Sequence, residues 1–478
     1  MWIDRESAQT AAGHHSRREW LARAGAGFGL LALSDLLAAQ SAAAAVSAGH
    51  APEPSAIRPP HYPARAKRVI FLYMPGGPSH VDLFDPKPRL LQDNGKPLPF
   101  EKPKLERTKT GNLLASPWKF APHAQAGTPV SELLPRLAER VDDICVIRSM
   151  VADNINHTGA ALQMCTGEQA FSRPSMGSWL TYGLGTENQN LPGFVVVSPA
   201  AVFQGAQLWA SSFLPSAYQG TLIRDLARPI ANLGDPSADR SRQRAQLDAL
   251  SQLNGLHLRD RVIDSELEAR IASFELAFRM QREAPEAFDL SHETRATHQL
   301  YGTDQPVTEL FGRQCLLARR LAERGVRFIQ LFDAPKNNAW DHHSGLRKEL
   351  PARCAAVDQP IAALLTDLKS RGLLEDTLVL WGGEFGRTPT AEGTDGREHH
   401  PFGFTMWLAG GGIRGGLVHG ATDAFGWHAV QDKVHVHDLH ATILHLMGLD
   451  HTQLTYRFGG RDYRLTDVYG QVVHGIVA

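Results

Sequence analysis

Short, nearly unbroken apolar runs most restrict the fold open to this chain. Val69-Ile70-Phe71-Leu72-Tyr73-Met74 carries no polar residue at alternate positions and stops at Pro75-Gly76-Gly77-Pro78. A strand with one wet face alternates apolar and polar residues. A run without that alternation is buried on both faces and belongs in a parallel sheet covered by helices. Similar runs follow at Ile144–Ile147, Phe194–Val197, Val326–Phe332, Thr377–Trp381 and Phe404–Leu408. Helical patterns lie between them. Ser131 is placed to cap Glu132–Arg140, Asp358–Leu368 is amphipathic, and Asp438–Met447 closes at Gly448. Strands alternating with helices predict an α/β fold: a doubly wound, mainly parallel sheet flanked by helices, with helical and loop insertions. The Pro- and Lys-rich stretch over about 87–130 reads as a surface excursion. A second insertion, over about 200–300, contains a charged helical pair at Ser237–Gln281.

The 478 residues, 43% hydrophobic and 21% charged, exclude a disordered, collagen-like or coiled-coil chain. Lys+Arg 49 against Asp+Glu 50 leaves a net charge of −1, so no basic footprint points to nucleic acid. Cys145, Cys165, Cys315 and Cys354 have no metal or redox spacing and read as buried thiols.

The first 46 residues read as an export signal. Ser16-Arg17-Arg18-Glu19-Trp20-Leu21 precedes a short apolar run, Ala24 to Ala39, and then an Ala-rich stretch. The paired arginines resemble a twin-arginine signal, which implies the twin-arginine export machinery as a partner and the periplasm or cell envelope of a bacterium as the destination. Residues 47–67 form a Pro-rich linker, and 68–478 the main domain. No later segment is apolar over the length a stable transmembrane span requires.

In parallel sheets ligands bind outside the carboxyl ends of the strands, and there the polar residues gather. Of 22 histidines, eleven fall between His342 and His451. After the first strand, Gly76 and Gly77 allow close backbone approach to a ligand, and Asp82 and Asp85 offer hard oxygen ligands or local turn caps. Asn156, His157 and Thr158 open a helix whose free N–H groups would meet an anion. Thr158 suits either a nucleophile or, like Asn156, an N-cap. Asp341-His342-His343 is a mixed N/O set that suits zinc, manganese or iron. Glu384 sits in a glycine turn with Arg387 available for an anionic substrate, and Glu398-His399-His400 precedes the last long strand. His435, His437, His440 and His445 fit core or surface positions better than a ligand set.

The order of these segments resembles the alkaline-phosphatase-like superfamily, and more closely the sulfatase-like family known as domain of unknown function 1501. The resemblance rests on Pro174-Ser175-Met176-Gly177-Ser178-Trp179-Leu180-Thr181-Tyr182-Gly183-Leu184-Gly185, Leu191-Pro192-Gly193-Phe194-Val195, Gly383-Glu384-Phe385-Gly386-Arg387-Thr388-Pro389 and Trp407-Leu408-Ala409-Gly410-Gly411-Gly412, and spans about Lys67 to Tyr469. It implies an alkaline-phosphatase-like core and a metal-dependent hydrolase of phosphate or sulfate esters. The substrate would be an anionic small-molecule or polysaccharide ester, and the cofactor one or two divalent ions (zinc, manganese or calcium). Carried over by position, the metal ligands are Asp82, Asp341, His343, Glu384, His399 and His400. His157, Thr158 and Arg387 are the catalytic candidates, and Asn156, Gly76 and Gly77 bind substrate.

Two positions depart from the family pattern. His157 stands where sulfatases carry the Cys or Ser that becomes their nucleophile, and Phe385 replaces a metal-binding histidine. These departures keep a second expectation open: a non-catalytic protein of the cell envelope that binds anionic polysaccharide or a protein partner.

Overall fold

A computed structural model describes residues 55–101, 111–230, 239–259 and 265–478. The twin-arginine segment lies outside them. The described residues divide into two units, 239–259 in the first and 55–101, 111–230 and 265–478 in the second. In the first, the described residues form one helix, Arg240–Arg259.

The second unit is built on a nine-stranded sheet. Its strands are β1 (Arg68–Tyr73), β2 (Ile144–Val151), β3 (Phe194–Val197), β4 (Thr221–Ile223), β5 (Phe328–Phe332), β6 (Thr377–Gly382), β7 (Phe404–Ala409), β8 (Leu417–His419) and β9 (Val434–His435). The order across the sheet is β8-β2-β7-β6-β1-β5-β3-β4, with β9 also paired to β2. All pairings are parallel except those of β7, which runs against both β2 and β6. The mainly parallel sheet expected from the apolar runs is therefore present, with one reversed strand that those runs do not reveal. Three short strands, β4, β8 and β9, were also not expected.

Both faces of the sheet are dry, as unbroken apolar strands require. Alternate residues of β1 enter different cores: Ile70 and Leu72 on one side, Val69, Phe71 and Tyr73 on the other. The first core is closed by helices Glu309–Glu323 and Leu346–Ser370 through Leu316, Leu317, Leu321, Ile361, Leu364 and Leu368. The second is closed by α1 (His157–Thr166), Met176–Leu184 and Val436–Leu446 through Leu162, Trp179, Leu180, Leu439 and Ile443. The four cysteines are free and buried.

Two helix expectations change. Leu346–Ser370 continues through Pro351 and Pro360, although an interior proline removes a helical N–H bond. Its buried face against the sheet outweighs that cost, so the amphipathic stretch at Asp358–Leu368 is only its second half. The helix expected at Glu132–Arg140 shrinks to Pro135–Ala138, and Ser131 instead ends the strand Thr128–Ser131. The short helix is capped from a distance: Asp358 accepts from the backbone N–H groups of Arg136 (2.9 Å) and Leu137 (2.8 Å). Helices Arg240–Arg259 and Ser265–Phe288 occupy the predicted charged stretch. Over residues 87–130 the chain forms a short helix, Pro88–Gln92, and the first strand of a hairpin, Phe120–His123.

Candidate metal centre

Strand register sets the site. Tyr73 lies beside Phe332 on one side and Gly382 on the other, so the carboxyl ends of β1, β5 and β6 are level. Because β7 is reversed, its amino end lies at this same edge. The segment just before it carries a two-residue ladder in which His399 faces Arg387 and His400 faces Gly386. Neighbouring residues on a strand point to opposite faces, so His399 and His400 are sent apart.

Four side chains converge here. His157, Asp341, His343 and His399 each present one ligand atom, all within 4.8 Å of one another. His343 Nε2 lies 2.9 Å from Asp341 Oδ1, 2.9 Å from His399 Nε2, and His399 Nε2 is 3.5 Å from the same carboxylate oxygen. His157 Nε2 approaches the other carboxylate oxygen, Oδ2, at 3.2 Å. Behind each imidazole stands an oxygen. His157 Nδ1 contacts Glu384 Oε1 at 2.6 Å, His399 Nδ1 contacts the Ile155 carbonyl at 2.8 Å, and His343 Nδ1 contacts Glu392. An oxygen acceptor at Nδ1 places the ring proton there and turns the Nε2 lone pair towards the cluster. Metal-binding histidines are held from behind in this way. Tetrahedral bonds of about 2.0–2.1 Å from zinc to nitrogen put neighbouring ligands about 3.3–3.4 Å apart, within a few tenths of an ångström of the spacing found here. The donor set therefore fits a divalent ion, and His₃-Asp is a mixed set suited to zinc, manganese or iron. A second group, His343, Glu392 and Glu398, adjoins the first.

The electrostatics follow from the packing. Burial would raise the Asp341 carboxyl, but bonds from His157, His343 and His399 and the Arg387 charge hold it far below the usual carboxylate range. Burial pulls His157 and His343 down, yet the carboxylates beside them win and both are raised. His399 is lowered by its burial and by the nearby Arg387 and His157 charges. Glu384, wholly buried, is held low despite desolvation by the His157 bond and charge and by the Gly76 N–H at 2.9 Å; the Tyr73 hydroxyl donates to its other oxygen at 3.0 Å.

Arg387 is buried to 0% side-chain exposure and its donors are all turned inward. It reaches Gly77 O (3.1 Å), Arg397 O (3.1 Å), Gly76 O and Asp341 Oδ1 (2.5 Å). These bonds fix the carboxylate that gathers the histidines. Gly76 and Gly77 likewise serve the scaffold. Both have positive φ (114° and 83°), and a Cβ would come within 2.4 Å of the Asp341 backbone N at Gly76 and 2.7 Å of the Phe385 ring at Gly77. Phe385 itself stacks on His399, with centroids 4.6 Å apart, and walls the cluster.

Of the six residues carried over as metal ligands, Asp341, His343 and His399 meet, and Glu384 stands behind His157. The structure gives Asp82 and His400 other partners. Both oxygens of Asp82 are taken by Arg397, at 2.7 and 3.0 Å, and Ser79 donates to one of them at 2.5 Å. His400 is buried, contacts the Trp427 carbonyl at 2.6 Å and stacks on His80. Asn156 caps α1 by accepting from the Thr158 N–H at 2.9 Å, and the Thr158 side chain is exposed at that helix start. His157 as a fourth donor, Glu392 and Glu398 behind His343, and Tyr73 behind Glu384, were not foreseen. Glu398 had a visible signal in its adjacency to His399; Tyr73 had none inside an apolar strand. Three of the other histidines pin the fold: His435 caps Val436–Leu446, while His437 and His440 contact the Gly167 and Met164 carbonyls at 2.9 and 2.8 Å.

A family model described as "Protein of unknown function (DUF1501)" matches residues 66–477. No curated protein matches the chain in sequence. Among solved structures, the chain is similar to the lipoteichoic acid synthase LtaP from Listeria monocytogenes (11% identity, 83% of this chain and 76% of that one, TM-score 0.35). It is similar also to the PsFucS1 sulfatase from Pseudoalteromonas sp. (14%, 80% and 68%, TM-score 0.34) and to the alkaline phosphatase from the Antarctic bacterium TAB5 (11%, 73% and 92%, TM-score 0.31).

Proposed function

The chain belongs to the DUF1501 family, and we propose that this protein is an exported, metal-dependent hydrolase of phosphate or sulfate esters. One observation carries the reading: three imidazole Nε2 atoms converge on Asp341 while each Nδ1 is held by an oxygen from behind. His157, Asp341, His343 and His399 would hold the ion, and their nitrogens favour zinc or manganese over calcium, which prefers oxygen alone. A divalent ion there supplies Lewis acidity, polarising an ester oxygen and making water more acidic. The chain does the rest. Arg387 orients Asp341, and Glu384 keeps the His157 proton on Nδ1. The start of α1, with His157 as its first residue, directs the positive end of a helix dipole towards the place where an anionic ester group would sit. The exposed Thr158 hydroxyl lies at the same helix start. Export is supported by the paired arginines Arg17 and Arg18 before an apolar run; among the described residues no helix is long and apolar enough to cross a membrane.

A second reading, a non-catalytic cell-envelope protein that binds anionic polysaccharide or a protein partner, is favoured by Arg387, whose guanidinium is wholly engaged within the fold. One experiment separates the two. Purified protein is assayed for metal content and, metal-replete, against aryl phosphate, phosphodiester and sulfate esters. Bound metal with turnover that Asp341→Asn abolishes supports the hydrolase. A metal-replete protein inert towards the whole panel, yet retained by a polysaccharide, supports the second reading. Metal content below about a tenth of an equivalent removes the premise of the hydrolase.

A further inference from the structure

Three large aromatic rings lie open to water close to the chain segments that form the metal centre. Phe171 is 71% exposed, Phe458 52% and Tyr469 61%. Two of them are braced rather than dangling. Phe458, on the hairpin Tyr456–Phe458 and Arg461–Tyr463, stacks one face on Phe213 at 5.1 Å and 16°. Tyr469 stacks one face on His437 at 5.1 Å and 10°.

The segments that carry the rings are tied together. Arg173 lies over the Tyr463 ring at 5.1 Å and pairs with Asp467 at 3.3 Å; Arg461 lies over the same ring at 4.8 Å and also pairs with Asp467. The Ser212 hydroxyl, next to Phe213, donates to Ser172 O at 2.9 Å, next to Phe171. They are tied to the metal centre as well. Asn154 donates to Gln169 at 3.0 Å, and Asp153 Oδ2 lies 3.1 Å from His435 Nε2, two positions before His437. Asp153 and Asn154 lead directly into His157.

We infer that Phe171, Phe458 and Tyr469 form a platform that stacks the sugar rings of an anionic polysaccharide, the chain whose ester group reaches the metal centre. The last clause rests on the hydrolase reading; the stacking rests on the platform alone. A pyranose ring has an apolar C–H face whose polarised hydrogens suit the negative face of an aromatic ring, and hydroxyls at its edge for the polar surroundings. Aromatic side chains have few rotatable bonds, and rings already packed on one face lose little freedom on binding. A protein partner, by contrast, favours a contiguous apolar centre, whereas these rings are interrupted by charged residues. Arg457 is exposed and paired with the exposed Asp462. An exposed pair of this kind is weak, so this guanidinium can exchange its partner for a sulfate or phosphate on the chain.

The full chain tests this by retardation in native gels cast with dextran sulfate, chondroitin sulfate or heparin. Retardation by at least one is expected, with the apparent Kd raised at least tenfold in the triple variant Phe171→Ala/Phe458→Ala/Tyr469→Ala, at unchanged Tm and metal content. If the triple variant loses Tm, the three single variants are compared instead, each expected to weaken retardation severalfold. No retardation by any of the three polymers, or equal retardation of wild type and variants, overturns the inference. So does a variant that loses self-association or binding to anionic phosphatidylglycerol vesicles while its retardation is intact. Retardation that depends on the rings in a protein inert towards esters leaves the platform standing and defeats the hydrolase reading.

Discussion

His343 Nε2 and His399 Nε2 face each other across 2.9 Å, and each ring has an oxygen at its other nitrogen. With each ring proton on Nδ1, the two Nε2 lone pairs point at one another beside the Asp341 carboxylate. A cation between them relieves that repulsion. Zinc is therefore expected to stabilise the folded protein, by about 2.7 kcal/mol at a hundredfold excess over Kd. Thermal unfolding followed with and without chelator measures it, and His399→Ala is expected to remove the dependence. Identical midpoints under both conditions would sink a metal centre here.

Glu384 touches no ion in this arrangement but holds His157 in place. Loss of such an outer partner typically weakens metal affinity about 10–100-fold. Glu384→Gln is expected to fall in that range by competition with a chromophoric chelator, while the bound stoichiometry at saturation stays the same. Affinity equal to wild type would show that His157 needs no orienting partner.

Asp82 and Arg397 are both fully buried and bonded to each other through two contacts. Removing one member of a buried pair strands the other charge, at a cost of about 3–5 kcal/mol. Asp82→Asn is therefore expected to lower the denaturant midpoint sharply and to keep a full equivalent of metal. The reverse outcome, normal stability with metal lost, would restore Asp82 as a ligand.

Burial pushes the His440 imidazole down to about 3. In the unfolded chain a histidine titrates near about 6.5. The neutral buried ring thus contributes stability that is complete above pH 6.5 and is lost as pH falls towards 3. The loss is at most about 1.4 kcal/mol per pH unit. His440→Gln keeps a donor for the Met164 carbonyl and cannot charge. Chemical unfolding of chelated wild type and variant between pH 7 and pH 4 is expected to show a shallower acid slope for the variant; parallel slopes would refute it.

The sheet was legible because its strands are dry on both faces, and that leaves unbroken apolar runs such as Val69–Met74. The reversal of β7 was not, since a buried strand has the same composition in either direction. Strands of two or three residues, such as β8 and β9, are too short to leave a pattern. In the site, residue types announced Asp341 and the two histidine pairs. Which member of His399-His400 faces the centre depended on strand alternation, and the ladder partner Arg387 decides it. Asp82 looks like a ligand because its partner, Arg397, lies 315 positions away in sequence. His157 left no trace in composition; its role depends on Glu384 reaching it from another strand end.

The reversal of β7 has a further consequence. A parallel neighbour would have required a crossover over the face of the sheet between β6 and β7. Instead the chain turns round at the rim, and the single stretch Gly383–Gly403 brings Glu384, Arg387, Glu392, Arg397, Glu398 and His399 to the centre. One of the four converging ligands, and most of the groups that stand behind them, thus travel in a single connection between two adjacent strands.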